Sequence, residues 1–202
     1  MKQVYHHFLK LQVLRAVLKQ SGGFCIMDME RKNNKIVTES ITLALIQLME
    51  KKDFHDISIT ELTKRAGVGR VSFYRNFEDK TDVLRKYLND IQYEFMLSRE
   101  ANRRDNDFME YITELFAHLY NYKELANLLL KADMFYLVKE QFDYVFDKLK
   151  TTSEEEYAFF FLSGGLYNAF YYWSLGDFRE TPLEVAKKIT KYIDVHNLLI
   201  IK

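Results

Sequence analysis

Apolar residues return at intervals of three and four along most of the chain, the period of helices that bury one face. Val37, Ile41, Ala44, Leu45 and Leu48 mark a first helix over about 33–51, with Lys51 and Lys52 at its end, where the helix dipole favours cations. Phe54 and Ile57 follow as candidates to close a small core. Ser58 and Glu61 form an S-x-x-E pattern, in which each side chain can satisfy an unpaired N–H at a helix start. The short helix so begun carries Leu62 and Ala66 on one face and stops at Gly67, suited to the positive φ of a C-terminal cap. A second short helix begins at about Arg70, with Phe73 and Phe77 four apart and facing inward. Asp79 then caps a long helix over about 80–100, whose stripe is Val83, Leu84, Tyr87, Leu88, Ile91 and Phe95.

After the polar break at Asn102–Asn106, further helices are expected over about 107–121, 123–131, 135–150, 154–175 and 182–198. Glu154–Glu156 favour the start of the fourth of these, and Gly176 its end. The last opens with Thr181 as N-cap, Pro182 at the first helical position and Glu184 at the third. The expected fold class is all-α, in keeping with seven glycines and a single proline in 202 residues.

Near the start, Phe8, Leu11, Leu14 and Leu18 give residues 4–19 the pattern of an amphipathic helix, followed by Ser21-Gly22-Gly23. Adjacent glycine codons can spell a ribosome-binding site a short way before Met27. The expectation is therefore that translation natively starts at Met27 or Met29, with residues 1–26 a translated leader or poorly ordered; a true N-terminal extension is the alternative. Lys10, Arg15 and Lys19 interrupt the apolar stretch, which argues against a signal peptide.

Charge adds a direction to this pattern. The formal net charge is +0, yet residues 1–28 hold four basic and one acidic residue, residues 29–90 twelve and ten, and residues 91–202 thirteen and eighteen. An acidic C-terminal part is repelled by DNA, so any binding of nucleic acid is expected from the N-terminal third. Cys25 is the only cysteine, which excludes an internal disulfide and a cysteine-based zinc site. No apolar run approaches the ~20 residues of a membrane span. A soluble cytoplasmic protein is the simplest reading.

Two compact helices around a glycine-bearing turn form the helix-turn-helix pattern, whose second helix enters the DNA major groove. Ala66-Gly67-Val68-Gly69, Ser72-Phe73-Tyr74, Phe77, Lys80 and Leu84 are more specific still. With their spacing kept over nearly thirty residues, they resemble the DNA-binding signature of the TetR/AcrR family of bacterial transcription regulators. Two departures stand out. Gly69 replaces a frequent Ser, removing a side-chain N-cap at a cost of only about a few tenths of a kcal/mol. Val71 stands where a small residue is common, a position from which it could meet a thymine methyl.

The expected organisation is an N-terminal extension over 1–28, a helix-turn-helix DNA-binding domain over 29–78, and a helical regulatory and dimerisation domain over 79–202. In the family, the helix at 79–100 connects head and body. Arg70, Val71, Ser72, Arg75 and Asn76 are candidates for base edges or nearby phosphates, since Arg reads guanine and Asn adenine. Ser58, Thr60, Tyr74 and Lys80 are candidates for phosphate, which positions the domain without specifying sequence. On charge alone these residues would be a solvated surface; the signature tips the balance. The resemblance implies a homodimer on a palindromic operator, with repression the expected sign. Ligand binding in the body would shift the connecting helix and the spacing of the heads.

Family members usually dimerise through their last two long helices, and residues 159–176 are apolar nearly all round, with Gly164 and Gly165 in the middle. Gly164, Gly165, Asn168, Tyr172, Val185, Ile189 and Tyr192 are the interface candidates. Phe161, Gly164-Gly165, Trp173, Gly176 and Pro182 also resemble a C-terminal subfamily that includes an activator of dihydroxyacetone kinase genes. That opens activation, or control by a protein partner, as the alternative.

Tyr93, Phe116, Tyr120, Phe135, Tyr136, Phe161, Tyr167 and Tyr171 are candidates to line a cavity for a flat apolar or cationic small-molecule effector. Core packing is the plainer reading for each one. No cofactor or metal is expected, because His6, His7, His55, His118 and His196 show no ligand spacing. Gly67-Val68-Gly69 lacks the preceding strand and third glycine of a dinucleotide fingerprint, and Ser163 lacks the flanking glycines of a nucleophile elbow. A catalytic or purely structural helical protein is the distant alternative.

Overall fold

In the computed structural model the backbone is described for residues 27–102, 108–149 and 153–192, and side chains for 35–99, 108–145 and 156–191. Among these residues the chain is helical throughout: α1 (Met27–Met49), α2 (Ile59–Ala66), α3 (Arg70–Asn76), α4 (Lys80–Asn102), α5 (Phe108–Tyr120), α6 (Lys123–Lys131), α7 (Tyr136–Leu149), α8 (Ser153–Leu175) and α9 (Pro182–Tyr192). The expectations for residues 1–26, and for a last helix reaching 198, fall outside the described residues. The first helix begins at Met27, ahead of the position 33 read from its apolar stripe. Its first turns are polar and form helix without leaving an apolar period.

The local signals act as their chemistry dictates. Ser58 sits at the N-cap of α2 with φ −84° and ψ 151°, and its Oγ accepts the N–H of Glu61 at 3.1 Å. The Glu61 carboxylate turns to the Lys52 ammonium, so only half of the reciprocal capping box forms there. At α9 the box is complete. The Thr181 N–H donates to Glu184 Oε2 at 2.8 Å, and the Glu184 N–H donates back to Thr181 Oγ1 at 3.3 Å. Gly67 closes α2 with φ +69°, while the Val68 N–H reaches the Thr63 carbonyl at 3.0 Å, the cap in which a left-handed residue satisfies two helix-end carbonyls. Asp79 caps α4 by accepting the Asp82 N–H at 2.8 Å.

Helices α1, α2 and α3 close over one small core with the start of α4. Ile41, Leu45, Ile57, Leu62, Phe73 and Val83 are all buried there, with Phe54 and Phe77 close behind. Each such side chain contributes about 1.5–3 kcal/mol of burial. Beyond it, α9 lies along α5, α8 along α7, and α7 against α4, while α6 reaches both α8 and α1.

The body core is aromatic, with Phe116 between Phe170 and Trp173 at centroid distances of 6.3 and 5.6 Å. After α8 the chain turns through Asp177 and Phe178, both left-handed at φ 56° and 53°. Two such residues cost of order 1–3 kcal/mol each. Phe178 holds the turn by burying its ring 5.0 Å from Trp173, whose indole N–H donates to the Glu180 carbonyl at 3.0 Å. Among the described residues no helix is long and apolar enough to cross a membrane.

Candidate nucleic-acid interface

The recognition face depends on two buried rings. Phe73 and Phe77 lie 5.8 Å apart with exposures of 0% and 3%, which anchors α3 to the core by one side and turns its other side outward. On that outer side Arg70, Val71, Tyr74 and Arg75 are exposed, Val71 to 74%. Arg70 and Arg75 make no hydrogen bond or ion pair among the described residues. Tyr74 stands edge-on against Phe73 at 5.3 Å, which limits its rotation and leaves its outer edge in solvent.

Ser72 and Asn76 are half-buried, and the Asn76 side-chain amide donates to the Ser72 carbonyl at 2.8 Å. Reading a base from Asn76 would require that bond to open or be shared. Ser58 and Thr60 flank the start of α2, Ser58 exposed and Thr60 exposed beside it, with the Ser58 hydroxyl still able to donate while its oxygen caps the helix.

Lys80 is placed differently from the other candidates. Its Nζ donates to the carbonyls of Phe54 at 2.7 Å and Ile57 at 2.5 Å, approaches that of His55 at 3.4 Å, and lies 4.6 Å from the centroid of the Phe54 ring. Burial pulls its pKa below the ordinary lysine value, with Lys52 adding to the pull and Asp53, Asp56 and Asp79 opposing it.

The sequence did not single out the neighbours that tie the connecting helix to this head and to the body. The Lys86 ammonium reaches the Asn76 carbonyl at 2.6 Å and Asp82 at 2.9 Å, clasping the end of α3 to α4. Arg85 on α4 pairs with Glu140 on α7 at 2.9 Å, an ion pair that raises the arginine's pKa further. Their only signal was basic residues one turn into a helix, a common feature of solvated surfaces.

The body candidates separate into groups. Phe116 and Tyr120 join Trp173, Tyr120 stacking on the indole at 5.6 Å. Phe135, Tyr167 and Tyr171 form a second cluster, with the Phe135 ring 6.0 and 5.2 Å from the two tyrosines. Phe170 links the two clusters, 6.3 Å from Phe116 and 5.6 Å from Phe135. Tyr93 is half-buried on α4, while Tyr136 and Phe161 point outward with 48% and 61% exposure.

The interface candidates also divide. Gly165, Asn168 and Tyr172 are exposed on α8 and Gly164 is half-buried, on a face continued by Tyr157, Phe161 and Leu175. A methyl group at Gly164 or Gly165 would meet nothing within 4 Å in this chain. Val185 is buried within the chain, Ile189 packs against the same core, and the Tyr192 side chain lies outside the described residues.

Comparison with known proteins agrees with this architecture. Residues 41–87 match the family described as "Bacterial regulatory proteins, tetR family". The crystal structure of a TetR transcriptional regulator from Streptococcus agalactiae 2603V superposes with a TM-score of 0.59 at 19% identity, covering 81% of this chain and 96% of that one. The dihydroxyacetone kinase operon activator DhaS aligns less closely, with a TM-score of 0.48 at 15% identity over 81% of this chain and 94% of that one. No curated protein sequence matches the chain.

Proposed function

We propose that this chain, whose residues 41–87 match the tetR family of bacterial regulatory proteins, is a cytoplasmic, homodimeric repressor of transcription. The observation that carries the reading is α3, held by two buried phenylalanines with Arg70, Val71 and Arg75 unengaged on its free side. Arginine side chains there reach guanine edges or phosphates, and the Val71 methyls suit a thymine methyl. Ser58, Thr60 and Tyr74 flank the same face and hold phosphates, which sets register.

Two copies pair through the outward face of α8, where Gly164 and Gly165 leave room for a partner backbone to approach. Pairing presents two recognition helices to a palindrome, with half-sites about 34–36 Å apart. An effector in the aromatic body favours a dimer whose heads no longer match that spacing, and the operator is released.

Footprinting and fluorescence anisotropy on DNA flanking the protein's own gene test this reading. The expected result is a protected palindrome, with Arg70→Ala and Arg75→Ala each weakening binding about tenfold. The salt slope should fall by about 0.9 for each phosphate that a variant no longer neutralises. Absence of any protected site at low salt, or variants that bind like the parent, would overturn it.

A further inference from the structure

We propose that Lys80 is a positioning residue for DNA recognition, its ammonium tying the turn between α1 and α2 to the start of α4. Three carbonyl oxygens, of Phe54, His55 and Ile57, converge on one Nζ at 2.7, 3.4 and 2.5 Å. An ammonium has three protons and no acceptor, so these three carbonyls can take all of its donors. The Phe54 ring covers the charge at 4.6 Å, an arrangement that holds the cation from a further side.

The carbonyl of Phe54 also accepts the Ile57 N–H at 3.2 Å, so the lysine caps a turn that already closes on itself. Ile57 is buried and stands one residue before the Ser58 cap of α2. Displacing the turn therefore displaces the helix on which α3 leans.

The turn has a second neighbour. Met49, Lys52, Asp53 and Phe54 line one small hollow together with Leu128, Lys131 and Ala132 at the C-terminal end of α6, which lies against α1. The segment that Lys80 holds from the α4 side thus faces the end of α6 on the body side.

The DNA arm of the test rests on the operator-binding reading, whereas hydrogen exchange on the DNA-free, full-length protein does not. Lys80→Met keeps the aliphatic stem and removes all three donors; Lys80→Arg retains donors able to reach the carbonyls. In Lys80→Met the Ile57 amide should exchange at least tenfold faster while amides inside α5 and α9 keep their rates, and Lys80→Arg should restore most of the protection. Operator affinity of Lys80→Met should fall several-fold at every salt concentration, with its salt slope unchanged.

A slope lowered by about 0.9 with Ile57 exchange unchanged would make Lys80 a phosphate ligand and overturn the proposal. If Lys80→Met does not fold, Lys80→Arg decides: a protected Ile57 amide supports the strut, and an unprotected one sinks it. Failure of every protein to bind DNA, with the exchange pattern as expected, would leave the strut standing and remove the operator reading instead.

Discussion

At the scale of single residues, the two glycines that bracket the helix-turn-helix turn do different work. Gly67 is left-handed at φ +69° with open space where a Cβ would go, so a substitution there costs backbone strain and nothing else. Gly67→Ala should destabilise the protein by about 1–2 kcal/mol, and Gly67→Asn by less, since asparagine tolerates that conformation. Gly69 sits at the N-cap of α3 in an extended conformation, φ −77° and ψ 152°, without a side-chain cap. Gly69→Ser should restore that cap and stabilise by about a few tenths of a kcal/mol. Circular dichroism melts of the variants side by side check both signs; an alanine at 67 that melts with the parent would contradict the strain argument. The glycine roles were legible because backbone conformation is written locally. The role of Lys80 was not. A cation one residue past a helix cap can meet a phosphate or a carbonyl, and only the fold of the 54–57 turn puts three carbonyls in its reach.

At the scale of helices, α8 carries two apolar faces, one covered by the chain's own body and one turned outward. Phe159, Leu162, Leu166, Phe170 and Trp173 are buried against the chain's own body. Tyr157, Phe161, Tyr172 and Leu175 stand outward at 85%, 61%, 78% and 59% exposure, with Gly165 and Asn168 between them. Periodicity cannot orient a helix that is apolar all round, which is why Phe161 read as a cavity residue from sequence and stands on the outer face. Val185 and Ile189, four apart on α9, show the converse: their spacing defines a face but not its neighbour, which is α5 of the same chain. Phe161→Glu and Tyr172→Glu, which place charge on the outer face, should each raise the dimer dissociation constant at least tenfold in sedimentation, with helical content unchanged. Val185→Ala should instead lower thermal stability by about 0.5–1.5 kcal/mol through the cavity it leaves, and leave association alone. A charged outer face that stays dimeric would exclude α8 as the pairing surface.

At the scale of the whole molecule, the connecting helix is held along its length. Lys80 fixes its first turn, Arg85 pairs with Glu140 of α7, and His118 of α5 lies with its ring nitrogen 2.8 Å from the Ile91 carbonyl. The Tyr122 hydroxyl donates to Glu94 at 2.6 Å, and Arg99, whose side chain is only 11% exposed, pairs with Glu114. Under the proposed dimeric reading, a helix clasped at this many points should carry a shift of the body to the head as a rigid lever. Arg85 and Glu140 are 40% and 43% exposed, and such a pair contributes under about 1 kcal/mol to stability. Its larger effect should be on geometry. With Cys25 replaced by serine and a spin label at position 64 on α2, head-to-head distances can be measured in the dimer by electron–electron resonance. Operator DNA should narrow the distribution to one distance, because the half-sites admit only one spacing. Arg85→Ala should melt within about 1 kcal/mol of the parent yet broaden the DNA-free distribution and weaken operator binding several-fold, since part of the population then holds its heads at the wrong separation. If Arg85→Ala leaves that distribution as narrow as the parent's, the lever is set elsewhere along α4, and the aromatic neighbours His118 and Tyr122 become the place to cut it.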